Sequence, residues 1–95
     1  MTEIKTIIKT DDPELKAYIT MCKSQDFYVD KLFYCMDNNN IEGFRFYFQK
    51  WHDITGFILN HKYNTVGHCL DDSILEYAYN NCFDLFDIYY ERDTL

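Results

Sequence analysis

Apolar residues recur along this 95-residue chain mostly at intervals of three and four, the spacing of one face of an α-helix. This pattern predicts an all-α fold. The predicted helices span residues 13–23, about 28 or 30 to 36, 41–51, 72–79 and 83–92. A short helical turn is also predicted near residues 54–59, and a loop over residues 60–67 follows it.

Residues that favour helix ends and turns separate these helices. Residues 11–14, Asp-Asp-Pro-Glu, offer an N-cap followed by a proline at the first helical position, and residues 71–73 offer a second cap. The asparagine runs at residues 38–40 and 80–81 predict turns, because asparagine tolerates the left-handed backbone conformation. Residues 24–26, Ser-Gln-Asp, predict a break between two helices.

The chain resembles itself at an offset of 42 residues, in register with its two asparagine turns. Leu32, for example, aligns with Ile74. Repetition at such a period is typical of stacked helix-turn-helix units, which usually bind other macromolecules. Repeat-like units are predicted over about residues 30–50 and 72–92, each an antiparallel helix pair that needs its neighbour to cover its apolar face.

This unit resembles the ankyrin repeat, in which a short helix and a tight turn precede a second helix rich in apolar residues. The family's leucine positions fall at Leu32 and Ile74, and its turn falls at residues 39–40 and 81–82. Neither copy has the Thr-Pro-Leu-His sequence of the family, and the 42-residue offset exceeds the usual period of about 33. The bias toward Asn, Tyr and Phe is similar to divergent ankyrin-like proteins of large DNA viruses or phage. The resemblance implies protein binding through the loop tips and the short helices.

Composition predicts a single helical domain over residues 1–95, densely packed because aromatic residues make up 19% of the chain. Residues 1–10 fit either a helical face or a short strand. No apolar run reaches the ~18–20 residues of a membrane span, and residues 1–5 lack the apolar h-region of a signal peptide. We therefore expect a soluble protein of the cytoplasm, in the host cell if it is viral, with no membrane partner. Free, buried thiols of a reducing compartment are expected at Cys22, Cys35, Cys69 and Cys82.

The formal charge of −7 is concentrated at one end of the chain. Residues 71–95 carry seven acids against one base, a net charge of −6, whereas residues 1–70 carry nine acids and eight bases. A field of this sign attracts basic partners and repels nucleic acid. We therefore predict a protein partner with a basic surface and no direct binding to DNA or RNA.

Aromatic residues are dense over residues 44–48 and again over residues 83–90. Platforms that stack nucleic acid bases combine such rings with Lys and Arg, whereas acids interleave the second group here. We therefore expect most of these rings in the core, with tyrosine hydroxyls at the surface as interface anchors.

The sequence offers weak candidates for metal or catalytic chemistry. The one set that could hold zinc comprises His52, His61, His68 and Cys69. Its spacing matches no standard zinc site, so hydrogen-bonded or solvated histidines are the favoured interpretation. Adjacent residues such as His68 and Cys69 rarely face each other, and the chain has no phosphate-binding glycine loop or nucleophile motif. We therefore predict a protein that is not an enzyme and has no metal or cofactor.

The repeat and the charge support two hypotheses for function. The first is a protein-binding module, an inhibitor or adaptor of viral origin that acts on one partner. Its candidate contacts near the predicted loop tips are Asp30, Lys31, Asp71, Asp72 and Glu76. The alternative is an acidic nucleic-acid mimic that blocks a nuclease or another DNA- or RNA-binding defence protein. Its candidate carboxylates are Asp84, Asp87, Glu91 and Asp93. A homo-oligomer is a third hypothesis, because rings could stay exposed at an open end of the helix stack.

Overall fold

The computed structural model describes the backbone of residues 12–94 and the side chains of residues 12–89. These residues form four α-helices, which are α1 (Pro13–Asp37), α2 (Ile41–Leu59), α3 (Asp72–Asn81) and α4 (Phe83–Thr94). Residues 12–94 contain no strand, so the prediction of an all-α fold is confirmed. The alternatives of helix or strand for residues 1–10 lie outside the described residues.

Helix α1 continues through residues 24–26, where the sequence predicted a break. Gln25 is only 7% exposed, and its side-chain amide donates a hydrogen bond to Oγ1 of Thr55 in α2 at 2.8 Å. This bond satisfies a polar group whose burial would otherwise cost free energy. The predicted break is wrong because Gln25 finds its partner 30 residues away in sequence, and periodicity within one segment does not reveal such a partner.

Helix α2 also extends beyond its predicted end at residue 51. Thr55 and Ile58 are fully buried, so the predicted separate turn at residues 54–59 continues the same helix. Asn60 closes the helix by donating its side-chain amide to the carbonyl of Gly56 at 3.0 Å. The longer helix gives α1 a partner along most of its length.

Side-chain caps begin three of the helices. The side chains of Asp12, Asn40 and Asp71 each accept a hydrogen bond from a backbone N–H of the first turn, at 2.9–3.0 Å. The caps predicted within residues 11–14 and 71–73 are therefore confirmed. Asn39 has a φ of 49°, the left-handed backbone expected of an asparagine in the turn between α1 and α2.

Helices α1 and α2 form an antiparallel hairpin. Next to the turn, a Cβ on Gly43 would lie only 2.9 Å from Sγ of Cys35, so glycine allows the two helices to approach closely there. Farther along, the rings of Tyr28 and Tyr47 lie 6.3 Å apart. At the open end of the hairpin, the loop after α2 reaches the start of α1 through a hydrogen bond from Tyr63 to Asp12.

Helices α3 and α4 form a second pair that packs on this hairpin, with α3 against α1 and α4 against α2. Cys82 alone separates α3 from α4, so the second turn lies there rather than at residues 80–81. The buried core between the two pairs comprises Leu32, Cys35, Phe44, Phe48, Trp51, Leu70, Ile74, Ala78, Cys82, Leu85 and Tyr89. The helices of the first pair have 25 and 19 residues and those of the second have 10 and 12, so the pairs are unequal. Stacking of two ankyrin-like units stays a prediction.

The buried polar pair between α1 and α2 can be tested by substitution. We expect Thr55→Val to lower the free energy of unfolding by about 1–3 kcal/mol, because it leaves the amide of Gln25 buried without its acceptor. The double variant Gln25→Leu with Thr55→Val should recover most of this loss, because no unsatisfied polar group remains. Urea unfolding followed by circular dichroism measures both changes. A double variant no more stable than Thr55→Val would contradict the assignment.

The close approach at Gly43 gives a second test. Alanine is favoured over glycine in helices by about 1 kcal/mol, yet we expect Gly43→Ala to destabilise the fold by about 1–3 kcal/mol. The added methyl would lie 2.7 Å from Nδ2 of the capping Asn40 as well as against Cys35. Gly67→Ala is the control, because a methyl added there would meet no atom within 4 Å beyond its chain neighbours. Thermal unfolding compares the two, and a more stable Gly43→Ala protein would refute the tight contact.

Candidate protein-binding surface

Three aromatic side chains meet at the surface where α3 turns into α4. The ring centroids of Tyr79 and Phe83 are 5.4 Å apart, those of Tyr79 and Phe86 are 5.2 Å apart, and those of Phe83 and Phe86 are 6.0 Å apart. Tyr79 is 55% exposed and Phe83 56%, while Phe86 is half-buried. We call these three residues the aromatic tip.

The tight connection at Cys82 produces this cluster. The N–H of Cys82 donates to the carbonyl of Ala78 at 2.7 Å, and the Cys82 side chain is buried in the core. Tyr79 and Phe83 flank the connection on neighbouring helices, and both lie away from the buried stripe that contains Ala78 and Leu85. The chain therefore brings two large rings together outside the core.

Exposed carboxylates lie next to the aromatic tip. Glu76 precedes Tyr79 by three residues on α3, and Asp87 follows Phe83 by four residues on α4. Residues at these spacings share one face of a helix. Asp72, one turn before Glu76, is also exposed. The predicted contacts Asp72, Glu76 and Asp87 therefore belong to one surface that combines negative charge with aromatic rings.

Asp84 serves a different purpose, because Arg45 of α2 binds it through two hydrogen bonds. Nη1 and Nη2 of Arg45 lie 3.0 and 2.7 Å from the two carboxylate oxygens. The hydrogen bonds from Arg45 lower the pKa of Asp84, and the carboxylate raises the pKa of Arg45 in turn. The pair ties α4 to α2 and neutralises one of the carboxylates predicted to mimic phosphates.

Asp71 is likewise engaged within the protein. Its Oδ1 accepts hydrogen bonds from the backbone N–H and from the hydroxyl of Ser73, at 2.9 and 2.7 Å. These bonds lower the pKa of Asp71, the hydroxyl having the larger effect. Asp71 thus caps the start of helix α3, and its side chain is exposed.

Two predicted contacts, Asp30 and Lys31, lie within helix α1 and not at a loop tip. Both sit within the last third of α1, because the break predicted before them does not exist. Lys31 places its Nζ 5.4 Å from the ring centroid of Phe27 and 5.8 Å from that of Tyr34. The expectation that these residues mark a tip is therefore wrong, and they belong to another surface.

The last two predicted contacts, Glu91 and Asp93, fall in the C-terminal part of α4. Their side chains lie outside the described residues. Tyr79 and Phe83, in contrast, were not predicted as contacts, and Phe83 belongs to a group of rings of which most were expected in the core. Their positions in the sequence could have predicted their exposure, because residues 79 and 83 fall outside the buried stripe formed by Ile74, Ala78 and Leu85.

His61 and His68 form local contacts within the loop after α2, whereas His52 lies within α2 itself. Nε2 of His68 lies 2.8 Å from Oδ1 of Asn64, and the ring of His61 stacks on Tyr63 with centroids 5.7 Å apart. Among the described side chains, those of residues 12–89, no group of three or more potential metal ligands converges. These contacts agree with the hydrogen-bonded interpretation of both histidines.

The four cysteines are free thiols, but they differ in burial. Cys35 and Cys82 are buried, and burial raises the pKa of both thiols. Cys22 is half-buried and Cys69 is exposed, so the expectation of buried thiols is wrong for Cys69. The raised pKa values make Cys35 and Cys82 poor nucleophiles, as befits residues of the packed core.

Comparison with known proteins returned no match to a protein family, to a curated protein or to a solved structure. The resemblance to ankyrin repeats therefore stays a prediction. Within the described part of the chain, no helix is both long enough and apolar enough to cross a membrane.

The Arg45–Asp84 pair predicts a pH effect of known sign. Because the folded pKa of Asp84 is lowered, the stabilisation is fully present above the unfolded-state pKa of about 3.9 and is lost as pH falls through the folded value. We expect Arg45→Ala to raise the pKa of Asp84, measured by NMR titration of the carboxyl carbon. Lys50→Ala, a charge change on the same helix, should leave it unchanged. Equal pKa values in wild type and Arg45→Ala would exclude the pair.

Proposed function

We propose that this chain is a non-enzymatic protein-binding module that binds one protein partner through the aromatic tip and the carboxylates beside it. The observation that carries the proposal is the exposure of two contacting rings, Tyr79 and Phe83, at the turn between α3 and α4. Their partner would be a protein with a basic and partly apolar surface.

The aromatic tip supplies the apolar part of such a contact. Tyr and Phe are enriched in protein interfaces, because each buries a large area while few bonds lose rotational freedom. Burying a phenylalanine side chain that was exposed is worth about 1.5–3 kcal/mol. A short connection and the Arg45–Asp84 pair also hold the tip in place before binding. The loss of conformational entropy on binding is therefore small.

Charge supplies selectivity. Glu76 and Asp87 lie on the exposed helix faces that carry the tip, and residues 71–95 have seven acids against one base. A partner with Lys or Arg around an apolar pocket would be steered toward this surface and would pair with its rim. The same charge opposes binding of DNA or RNA.

The alternative, a nucleic-acid mimic, has weaker support. A mimic needs several carboxylates available to the partner's basic groups, but Arg45 already binds Asp84, one of its candidate carboxylates. Among the described side chains of α4, Asp87 is the other exposed acid that could serve a mimic. We therefore attribute most of the binding affinity to the rings and less of it to the carboxylates.

The test compares proteins captured from the cells that make this chain by three immobilised forms. These are wild type, the tip variant Tyr79→Ala with Phe83→Ala, and a control, Phe57→Ala, which removes an exposed ring of α2. Proteins that wild type and control retain but the tip variant loses are identified by mass spectrometry and purified. We expect the tip variant to bind such a partner at least about tenfold more weakly by calorimetric titration.

Two outcomes would refute the proposal. One is equal affinity of wild type and the tip variant for the purified partner, with circular dichroism showing that both are folded. The other is competition by DNA together with a steep loss of affinity between low and moderate salt, which would favour the mimic. Asp87→Asn should weaken binding less than the loss of the two rings.

A further inference from the structure

The two carboxylates beside the aromatic tip are available to another molecule. Glu76 and Asp87 are exposed, and neither forms an ion pair with another described side chain. Residues 71–89 contain no Lys, Arg or His. Arg45 of α2 reaches this helix pair, but Asp84 binds both of its terminal nitrogens. The charge that the described side chains of these two helices offer a partner is therefore negative.

Exposed rings elsewhere on the protein already have a cation over them. Among the described side chains, the aromatic rings that are more than half exposed are Phe27, Tyr34, Phe46, Phe57, Tyr79 and Phe83. A lysine Nζ lies 5.4–5.8 Å from the ring centroids of Phe27, Tyr34 and Phe46, which is the distance of a cation–π contact. No described Lys or Arg lies over Tyr79 or Phe83. The faces of these two rings can therefore receive a cation from another molecule.

The geometry of the tip suits a long cationic side chain. The plane of Tyr79 stands at 85° to that of Phe83 and at 89° to that of Phe86. Planes at nearly a right angle form a corner, in which a side chain can lay its charged group on one ring and its methylene groups against another. Phe57 also has no lysine over it, but it contacts no other described ring and so offers no such corner.

Arginine fits this arrangement of rings and carboxylates better than lysine does. Its guanidinium is planar and weakly hydrated, so it can stack on a ring while the N–H groups at its edge donate to carboxylates. Glu76 lies one helical turn from Tyr79, and Asp87 lies one turn from Phe83. Side chains at this spacing have Cβ atoms about 5–6 Å apart, within reach of that edge. A lysine ammonium is a strongly hydrated point charge and cannot stack as a plane.

We propose that the aromatic tip binds an arginine side chain of its protein partner. The guanidinium lies over the exposed face of Tyr79 or Phe83, and Glu76 and Asp87 accept hydrogen bonds from its edge. The methylene stem of the arginine supplies part of the apolar contact. This inference rests on the proposed function and deepens it, because it names the side chain by which the partner is recognised.

The experiment uses three peptides that differ only in one kind of side chain. They are acetyl-Gly-Arg-Gly-Arg-Gly-amide and the same peptide with lysine or with citrulline in place of both arginines. Citrulline keeps the planar shape of arginine but has no charge. Affinities are measured by NMR titration, from the backbone amide shifts of residues 76–87. We expect saturable shifts with the arginine peptide, binding at least about threefold weaker with lysine, and binding at least about tenfold weaker with citrulline.

Two variants of the protein remove the two parts of the site separately. Tyr79→Ala with Phe83→Ala removes the exposed rings, and Glu76→Gln with Asp87→Asn removes the charges beside them. Each should bind the arginine peptide at least about fivefold more weakly than wild type, while circular dichroism shows that it is folded. Asp26→Asn with Asp30→Asn is the matched control, because it removes two exposed carboxylates one turn apart on α1 and should bind like wild type.

Several results would overturn the inference. One is the absence of saturable shifts with the arginine peptide. Equal affinity for the arginine and lysine peptides would show attraction by charge alone, and equal affinity for the arginine and citrulline peptides would show that charge is not used. Unchanged affinity in either folded variant of the site would place the binding elsewhere.

Failure here can be separated from failure of the proposed function. Where the peptides are not distinguished but Tyr79→Ala with Phe83→Ala still loses its captured partner, only the arginine is overturned. Where that variant keeps the partner, the proposed function is overturned, even if the tip of wild type binds the arginine peptide.

Discussion

The apolar stripe of α2, formed by Phe44, Phe48 and Trp51, is the feature on which the rest of the structure depends. All three side chains are at most 1% exposed, and they contact rings from both of the shorter helices. Helices of 10 and 12 residues, the lengths of α3 and α4, are marginal in isolation. Their stability therefore comes from packing against this stripe, and the aromatic tip is presented only because the stripe holds them.

Polar contacts around the stripe then fix where the second pair lies. The hydroxyl of Tyr77 donates to Oδ1 of Asn39 at 2.9 Å, and Arg45 of α2 binds Asp84 of α4. Dispersion contacts have no preferred direction, so an apolar surface alone would let α3 and α4 slide over it. These two polar contacts, at different points, fix the position of both helices. The exposed ion pair matters more for position than for stability, because solvent screens it.

Sequence reasoning succeeded where the determinant is local. A cap such as Asp71 and a turn residue such as Asn39 act on neighbouring backbone, so both could be predicted from adjacent residues. The break at residues 24–26 was wrong because Gln25 is satisfied by Thr55 from another helix. Exposure of Phe83 was missed for a related reason: whether a ring on a helix is covered depends on the neighbouring layer, which periodicity does not describe.

The positions of the side chains also change how much of the acidic charge is available to a partner. The sequence assigns a net charge of −6 to residues 71–95, but Arg45 neutralises Asp84, whereas Asp71 keeps its charge while it caps α3. The charge offered by the described side chains of α3 and α4 is therefore smaller and lies beside the rings. If the proposed function holds, shape would decide between basic partners, because charge attracts many of them whereas the rings favour one with a matching apolar pocket.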